Sequence, residues 1–266
     1  MFVNPANSIS EINATSLPWW FGKVYICCDR GIYPATTYTV ITTLVLPPGM
    51  ENRNSKRLKH HILIAALTSG LLFITYAAVP GNDKKYLWSM ATAYTSIVLL
   101  GITLVLGPVN ILAKWNNPIS SDLRRDFGIW SAIIGLIHVI IGIQVHMGNA
   151  WLYFFKAIKD EDAFKFRGDL FGAANYAGLL AAIILLLLLL LSNDLSLRVL
   201  KPSRWKSLQR WSYFLFCLTL AHGIMYQVIE KRILTFVLVF TMLIAIPVII
   251  QLLGLLAYNR KPNGLK

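Results

Sequence analysis

The sequence predicts an all-α polytopic membrane protein, a bundle of six transmembrane helices, and three observations predict it. Of 266 residues 56% are hydrophobic and 14% charged, with a mean hydropathy of +0.58, far from the usage of a water-soluble domain. Several stretches reach the ~20 mainly apolar residues needed to cross a hydrocarbon core of about 30 Å. Lysine and arginine, finally, are spread unevenly over the segments that connect those stretches.

Taken in order, the first span runs from about Ile62 to Val79, directly after a basic cluster, and the second from Leu87 to Ala113. The third, Phe127 to Met147, is apolar except for His138, Gln144 and His146. The fourth, Leu170 to Leu191, contains "AAIILLLLLLLS" and is the least ambiguous. The fifth, Trp211 to Ile229, carries Cys217, Thr219, His222 and Gln227. As the most polar span it is expected in the interior, because polar side chains avoid lipid. The sixth runs from Ile233 to Tyr258.

With six spans both ends lie on one side. That side receives Arg53, Lys56, Arg57 and Lys59 before the first span, then Lys114, Arg124 and Arg125 before the third. It also receives Arg198, Lys201, Arg204, Lys206 and Arg210 before the fifth, and Arg260, Lys261 and Lys266 at the end. The opposite loops carry fewer cations, and four of those stand beside Asp160, Glu161, Asp162 and Asp169. The positive-inside bias makes both termini cytoplasmic. The net charge of +13 follows from this asymmetry. It points to anionic lipid and not to nucleic acid, since no basic patch is interleaved with stacking aromatics.

Residues 1–57 are richer in Ser, Asn, Thr and Pro and read as a cytoplasmic or interfacial lead-in; 58–258 form the six-helix domain, and 259–266 a short basic cytoplasmic tail. No basic region followed by an apolar core and a small-residue cleavage site opens the chain, so a cleaved signal peptide is not expected. Cys27 and Cys28 are adjacent and Cys217 stands apart. That spacing fits neither a disulfide framework nor a CxxC metal site.

The segment "GLIHVIIGIQVH" then raises the question of function, because an ionisable group at membrane depth needs a partner inside the bundle. His138 lies about a dozen residues past Arg125, and His222 about a dozen past Arg210. At 1.5 Å per residue both are roughly 18–20 Å from the cytoplasmic edge, just past the midplane. Gly135 and Gly142 share a helical face with His138, and Ala221, Gly223 and Thr219 surround His222, which leaves room for a flat macrocycle. Two imidazoles on different helices at one depth are the axial ligand set of a haem b. The competing reading makes them interhelical hydrogen-bond partners in a non-redox scaffold or transporter subunit. Against a transporter, the spans show no inverted repeat and no matched pair of broken helices.

The passages "LGPVNILAKWNNPISSDLRRDFGIWSAIIGLIHVIIG" and "NDLSLRVLKPSRWKSLQRWSYFLFCLTLAHGIMY" carry a resemblance. An Arg-Arg pair (Arg124, Arg125) opens the third helix with a histidine about a dozen residues on. A "W..L.R..Y" run (Trp205, Leu208, Arg210, Tyr213) then leads to His222. Over about Leu58 to Tyr258 the chain resembles the ferric reductase-like transmembrane domain family. That group includes the haem-binding subunit of the periplasmic methionine sulfoxide reductase system and, more distantly, the membrane halves of NADPH oxidases and ferric reductases. The resemblance implies a bacterial inner membrane and a haem subunit of a redox system. Where the sulfoxide reductase partner has a second histidine on the fifth helix, this chain has Gln209. An amide is a poor haem ligand, so a single haem is expected.

Arg124 and Arg125 have two readings. They orient the helix, with Asp122 and Asp126 as partners, or they hold the counter-charge of a haem propionate, a flavin or a quinone head group. His146 lies eight residues past His138 near the outer end, either as a solvated helix-end group or as an accessory group at the acceptor side. His60 and His61 sit in a basic cluster and are expected at the surface. Trp130 and Tyr226 are packing residues or aromatic bridges to the two faces. After Tyr258 only "NRKPNGLK" follows, with no GxGxxG and no NADPH or FAD domain. The sequence thus predicts an electron conduit. Its donor is a separate cytoplasmic reductase, a flavin or a quinone, and its acceptor lies at the outer face.

Overall fold

The structure, a computed structural model, describes residues 50–113, 119–158 and 163–259. Residues 1–49, with Cys27 and Cys28, and 260–266 of the basic tail lie outside the described residues. The compact unit treated below is His60–Lys266; residues 1–59 belong to a separate one.

The expected class is found: an all-α chain whose described helices include six long and apolar enough to cross a membrane. In chain order these are α1 (Met50–Ala78), α2 (Lys84–Leu112), α3 (Ile119–Gly142) and α4 (Leu170–Leu191), then the non-spanning α5 (Asp194–Gln209), α6 (Trp211–Ile229) and α7 (Leu234–Asn259). A 3-10 turn (Ala150–Tyr153) and a hairpin of β1 (Phe155–Ala157) and β2 (Phe164–Phe166) fill the loop between α3 and α4.

Several helix starts are written locally. The Asp83 side chain accepts from Lys85 N, Asp169 from Gly172 N and Asn193 from Ser196 N, each satisfying a donor that the first turn leaves without a partner. The third span ends at Gly142, not Met147. The Tyr153 hydroxyl donates to the Gly142 carbonyl (3.0 Å) and accepts from His146 N (2.8 Å) and Met147 N (3.3 Å), so the chain turns there.

The second span, not the fifth, is the most buried. It packs most extensively on α3 and then on α7, whereas α6 packs mainly on α4 and leaves Trp211, Tyr213, Phe214 and Cys217 on the surface. The polarity of α6 is absorbed locally and by one neighbour: Thr219 donates to its own helix at Leu215 O, and His222 turns to α4. Between α2 and α3, Ser96 Oγ donates to Ser131 O and Ser131 Oγ to Ser96 O, both at 3.0 Å. Side-chain clamps of this kind associate helices where no hydrophobic drive exists.

Candidate functional site

Five helices, α2, α3, α4, α6 and α7, line one cavity of about 210 Å³, and His138 from α3 and His222 from α6 face each other in it, ring centroids 6.4 Å apart at 77°. His138 Nδ1 lies 2.9 Å from the Ser89 carbonyl on α2, and His222 Nδ1 lies 2.8 Å from the Ala174 carbonyl on α4. A carbonyl only accepts, so each Nδ1 carries the proton. That fixes the tautomer in which Nε2 keeps its lone pair, the arrangement in which ligating histidines are held.

Two other residues make the pocket possible. A Cβ on Gly178 of α4 would stand 2.7 Å from His222 Nδ1, so only glycine lets that ring reach its carbonyl. Gly142 lies beside the His138 ring edge, 3.7 Å from Cε1 to a Cβ placed there. The other expected glycines serve packing: Gly135 takes Leu185 and Ser96 against it, and Gly223 takes the Phe240 ring. Gly178 is a residue that the sequence reading passed over, as are Ser89 and Ala174.

Among the described residues no cluster of three or more His, Cys, Asp or Glu could hold a metal by itself. Two imidazoles fit a metal whose remaining ligands come from a macrocycle. Metal–imidazole bonds of about 2 Å on both sides put ring centroids about 6 Å apart, against the 6.4 Å found. The lining is apolar at the level of the pair, with Ile97, Leu100, Leu179 and Leu185. The space is below the ~300 Å³ of common small-molecule pockets.

The end of the cavity beside the α6–α7 turn is polar. His146 Nε2 stands 3.0 Å from Glu230 Oε1, and Arg232 Nη2 2.6 Å from Glu230 Oε2. Burial raises the Glu230 carboxyl, but the hydrogen bond from His146 and the Arg232 guanidinium outweigh it and hold it below the ordinary glutamate value. His146 therefore belongs to the cavity lining, in a turn beyond α3 and not on its helix. Tyr226 packs against both His222 (4.9 Å) and His146 (5.9 Å), and donates to Asn175 Oδ1 at 2.9 Å. Neither Glu230 nor Arg232 was anticipated; Lys231 between them, at φ +47°, is the turn residue that lets both face inward.

Arg124 and Arg125 are not in the cavity lining. Arg125 Nε donates to Ser192 O at 2.8 Å, at the C-terminal end of α4. Close by, His60 Nδ1 and His61 Nε2 stand 3.8 and 3.6 Å from the fully buried Asp126. Trp130 Nε1 donates to His61 Nδ1 at 3.2 Å, which leaves Nε2 as the His61 donor toward the carboxylate. The two histidines expected at the surface thus tie α1 to α3, and Trp130 supports them. No protein-family model matches the chain, and no curated protein matches it.

Proposed function

We propose that the chain is a haem b electron-transfer protein that takes electrons from a cytoplasmic donor, a separate reductase, flavin or quinone, and passes them to an outer-face acceptor. The observation that carries this reading is the pair His138 and His222: two spans, rings 6.4 Å apart, each Nδ1 committed to a backbone carbonyl. A bis-histidine haem supplies one-electron chemistry with no coordination position left for oxygen. The chain's own residues do the rest. Ser89 and Ala174 hold the tautomers, Gly142 and Gly178 make room, and the leucines of α2 and α4 keep water away. Arg232 places positive charge at the outer mouth, and Arg124 and Arg125 at the inner edge of α3. In this reading both termini are cytoplasmic in a bacterial inner membrane, as the charge bias and the family resemblance imply.

One observation favours the scaffold reading instead. Each histidine already makes an interhelical hydrogen bond, which is what bundle-joining polar residues do. Colour separates the two. The reduced-minus-oxidised spectrum of the purified protein, with haem quantified per chain, is expected to show one low-spin haem that is lost in His138→Ala and in His222→Ala. A colourless wild type after expression with ample haem overturns the conduit and leaves the scaffold.

A further inference from the structure

The hairpin between α3 and α4 has two unlike faces. Its register pairs Phe155 with Phe166, Lys156 with Lys165 and Ala157 with Phe164, and Arg167 N to Phe154 O (2.9 Å) closes its base. Alternation therefore puts Phe155, Ala157, Phe164 and Phe166 on one face and Phe154, Lys156, Lys165 and Arg167 on the other.

The second face is fixed to the bundle at its base. Phe154 packs on Tyr176 of α4, whose hydroxyl donates to Phe154 O (2.6 Å) and accepts from Arg167 N (3.1 Å). Arg167 also donates to Leu152 O and Asp169, with its guanidinium over Phe171. These contacts seat the hairpin at the level of the first turns of α4, the rim of a membrane span.

Among the described residues, the ring contacts of the first face are with Trp151 and within the face itself. Trp151 stacks on Phe155 at 4.3 Å and Phe155 packs on Phe166 at 4.9 Å. Trp151, Phe164 and Phe166 remain 54%, 56% and 75% exposed. A two-stranded ribbon with that face in water is marginal, and directly opposed lysines repel. An anion beside the lysines and an apolar medium beside the rings would relieve both. The rim of a bilayer supplies them together, since aromatics gather at the head-group level and lysines reach phosphate. The exposed leucines and isoleucine of α4, Leu179, Leu180, Ile183 and Leu187, continue the same lipid-facing surface inward.

We propose that the hairpin lies in the interfacial layer of the outer leaflet, with Trp151, Phe155, Phe164 and Phe166 against lipid and Lys156 and Lys165 on the phosphates of anionic phospholipid. Because Tyr153 and Phe154, which lead into β1, line the cavity, lipid holds the roof of the cavity in place. This does not depend on what the cavity contains.

The test is nitroxide depth measurement in nanodiscs, with Cys27, Cys28 and Cys217 changed to serine and single labels on Phe164→Cys, Lys165→Cys, Phe166→Cys and, in the loop between α1 and α2, Asn82→Cys. Collisions with oxygen report lipid and collisions with a water-soluble nickel chelate report water. The oxygen-to-nickel ratio is expected to be several-fold higher at 164 and 166 than at 82, and low at 165. The ratio at 166 should rise further when phosphatidylglycerol replaces phosphatidylcholine, and that gain should vanish with Lys156→Gln and Lys165→Gln together. Ratios at both 164 and 166 equal to that at 82 overturn the proposal and leave the face to water or a protein partner. Immersion without any response to phosphatidylglycerol overturns its anionic-lipid part. Two label sites keep the outcome readable if one variant misfolds.

Discussion

At the scale of single residues the site depends on what is missing from α4. His222 reaches the Ala174 carbonyl across a gap that the absent Cβ of Gly178 leaves. Gly178→Ala puts a methyl 2.7 Å from Nδ1, so the ring has to move and its hydrogen bond, worth about 1 kcal/mol, is lost. The expected result is reduced haem content and a shifted reduced-state band, whereas Gly148→Ala, with open space around it, leaves both unchanged; visible spectroscopy on the purified variants decides. The histidine pair itself was legible in the sequence because depth can be counted along each span from its flanking arginines. Gly178, Ser89 and Ala174 were not, because they act through backbone or through an absent atom on a neighbouring helix, and sequence pattern carries no trace of which helix that will be.

At the scale of elements, α2 and α7 show how a broken ladder is repaired inside a membrane. Pro108 removes the donor that would bond the Leu104 carbonyl, and Gln251 of α7 donates to that oxygen at 2.6 Å. The helices approach closely because each sets a proline on the other's glycine, Pro108 on Gly254 and Pro247 on Gly101. Gln251→Leu leaves a carbonyl unsatisfied where lipid offers no partner. A loss of about 1–3 kcal/mol is expected, readable as a lower midpoint of thermal or detergent unfolding.

The turn from α6 to α7 carries a pH dependence. Glu230 ionises more readily in the fold than in the unfolded chain, so its contribution is complete above the ordinary glutamate value of about 4.3 and disappears as pH falls through the lower folded value. Wild type should therefore unfold at a higher temperature than Glu230→Gln near pH 7, and the difference should shrink only in strong acid. A gap that already closes near pH 6 would mean that the carboxylate is not what the clamp depends on. In the same turn Lys231 holds a left-handed backbone at φ +47°, a conformation costing roughly 1–2 kcal/mol for a residue with a Cβ. Lys231→Gly removes that strain against about 0.5–1 kcal/mol of added chain entropy, so a small gain in thermal midpoint is expected. None of this turn was visible beforehand, since Glu230 and Arg232 read as ordinary loop charges until their side chains are seen to fold back over the cavity. The bounds of α4 and α6, by contrast, match the sequence reading at both ends, because the polar residues that bracket them, Asp169 and Ser192 for one and Arg210 and Glu230 for the other, mark the ends without tertiary information.

At the scale of the whole molecule the histidine pair is off centre. His138 is about 6 Å along the axis from the end of α3 at Gly142, and His222 about 10 Å from the end of α6 at Ile229. Toward the other face, Arg210 is roughly 18 Å from His222. On the charge bias the near face is the outer one, so a haem held by this pair, as proposed above, would exchange electrons more readily with an outer partner than with an inner donor. In proteoliposomes of one orientation, scored by a membrane-impermeant label on Asn82→Cys, an impermeant reductant added at the hairpin side is expected to reduce the haem faster than the same reductant trapped on the α5 side. Equal or reversed rates would require a second carrier in the inner half. The chamber between the spans in that half, lined by Thr103, Ser131, Gln209 and Ser212, is about 40 Å³, room for a water and not for a cofactor. A second carrier would therefore have to sit outside the described cavities, and equal rates from the two sides would overturn the one-haem reading itself.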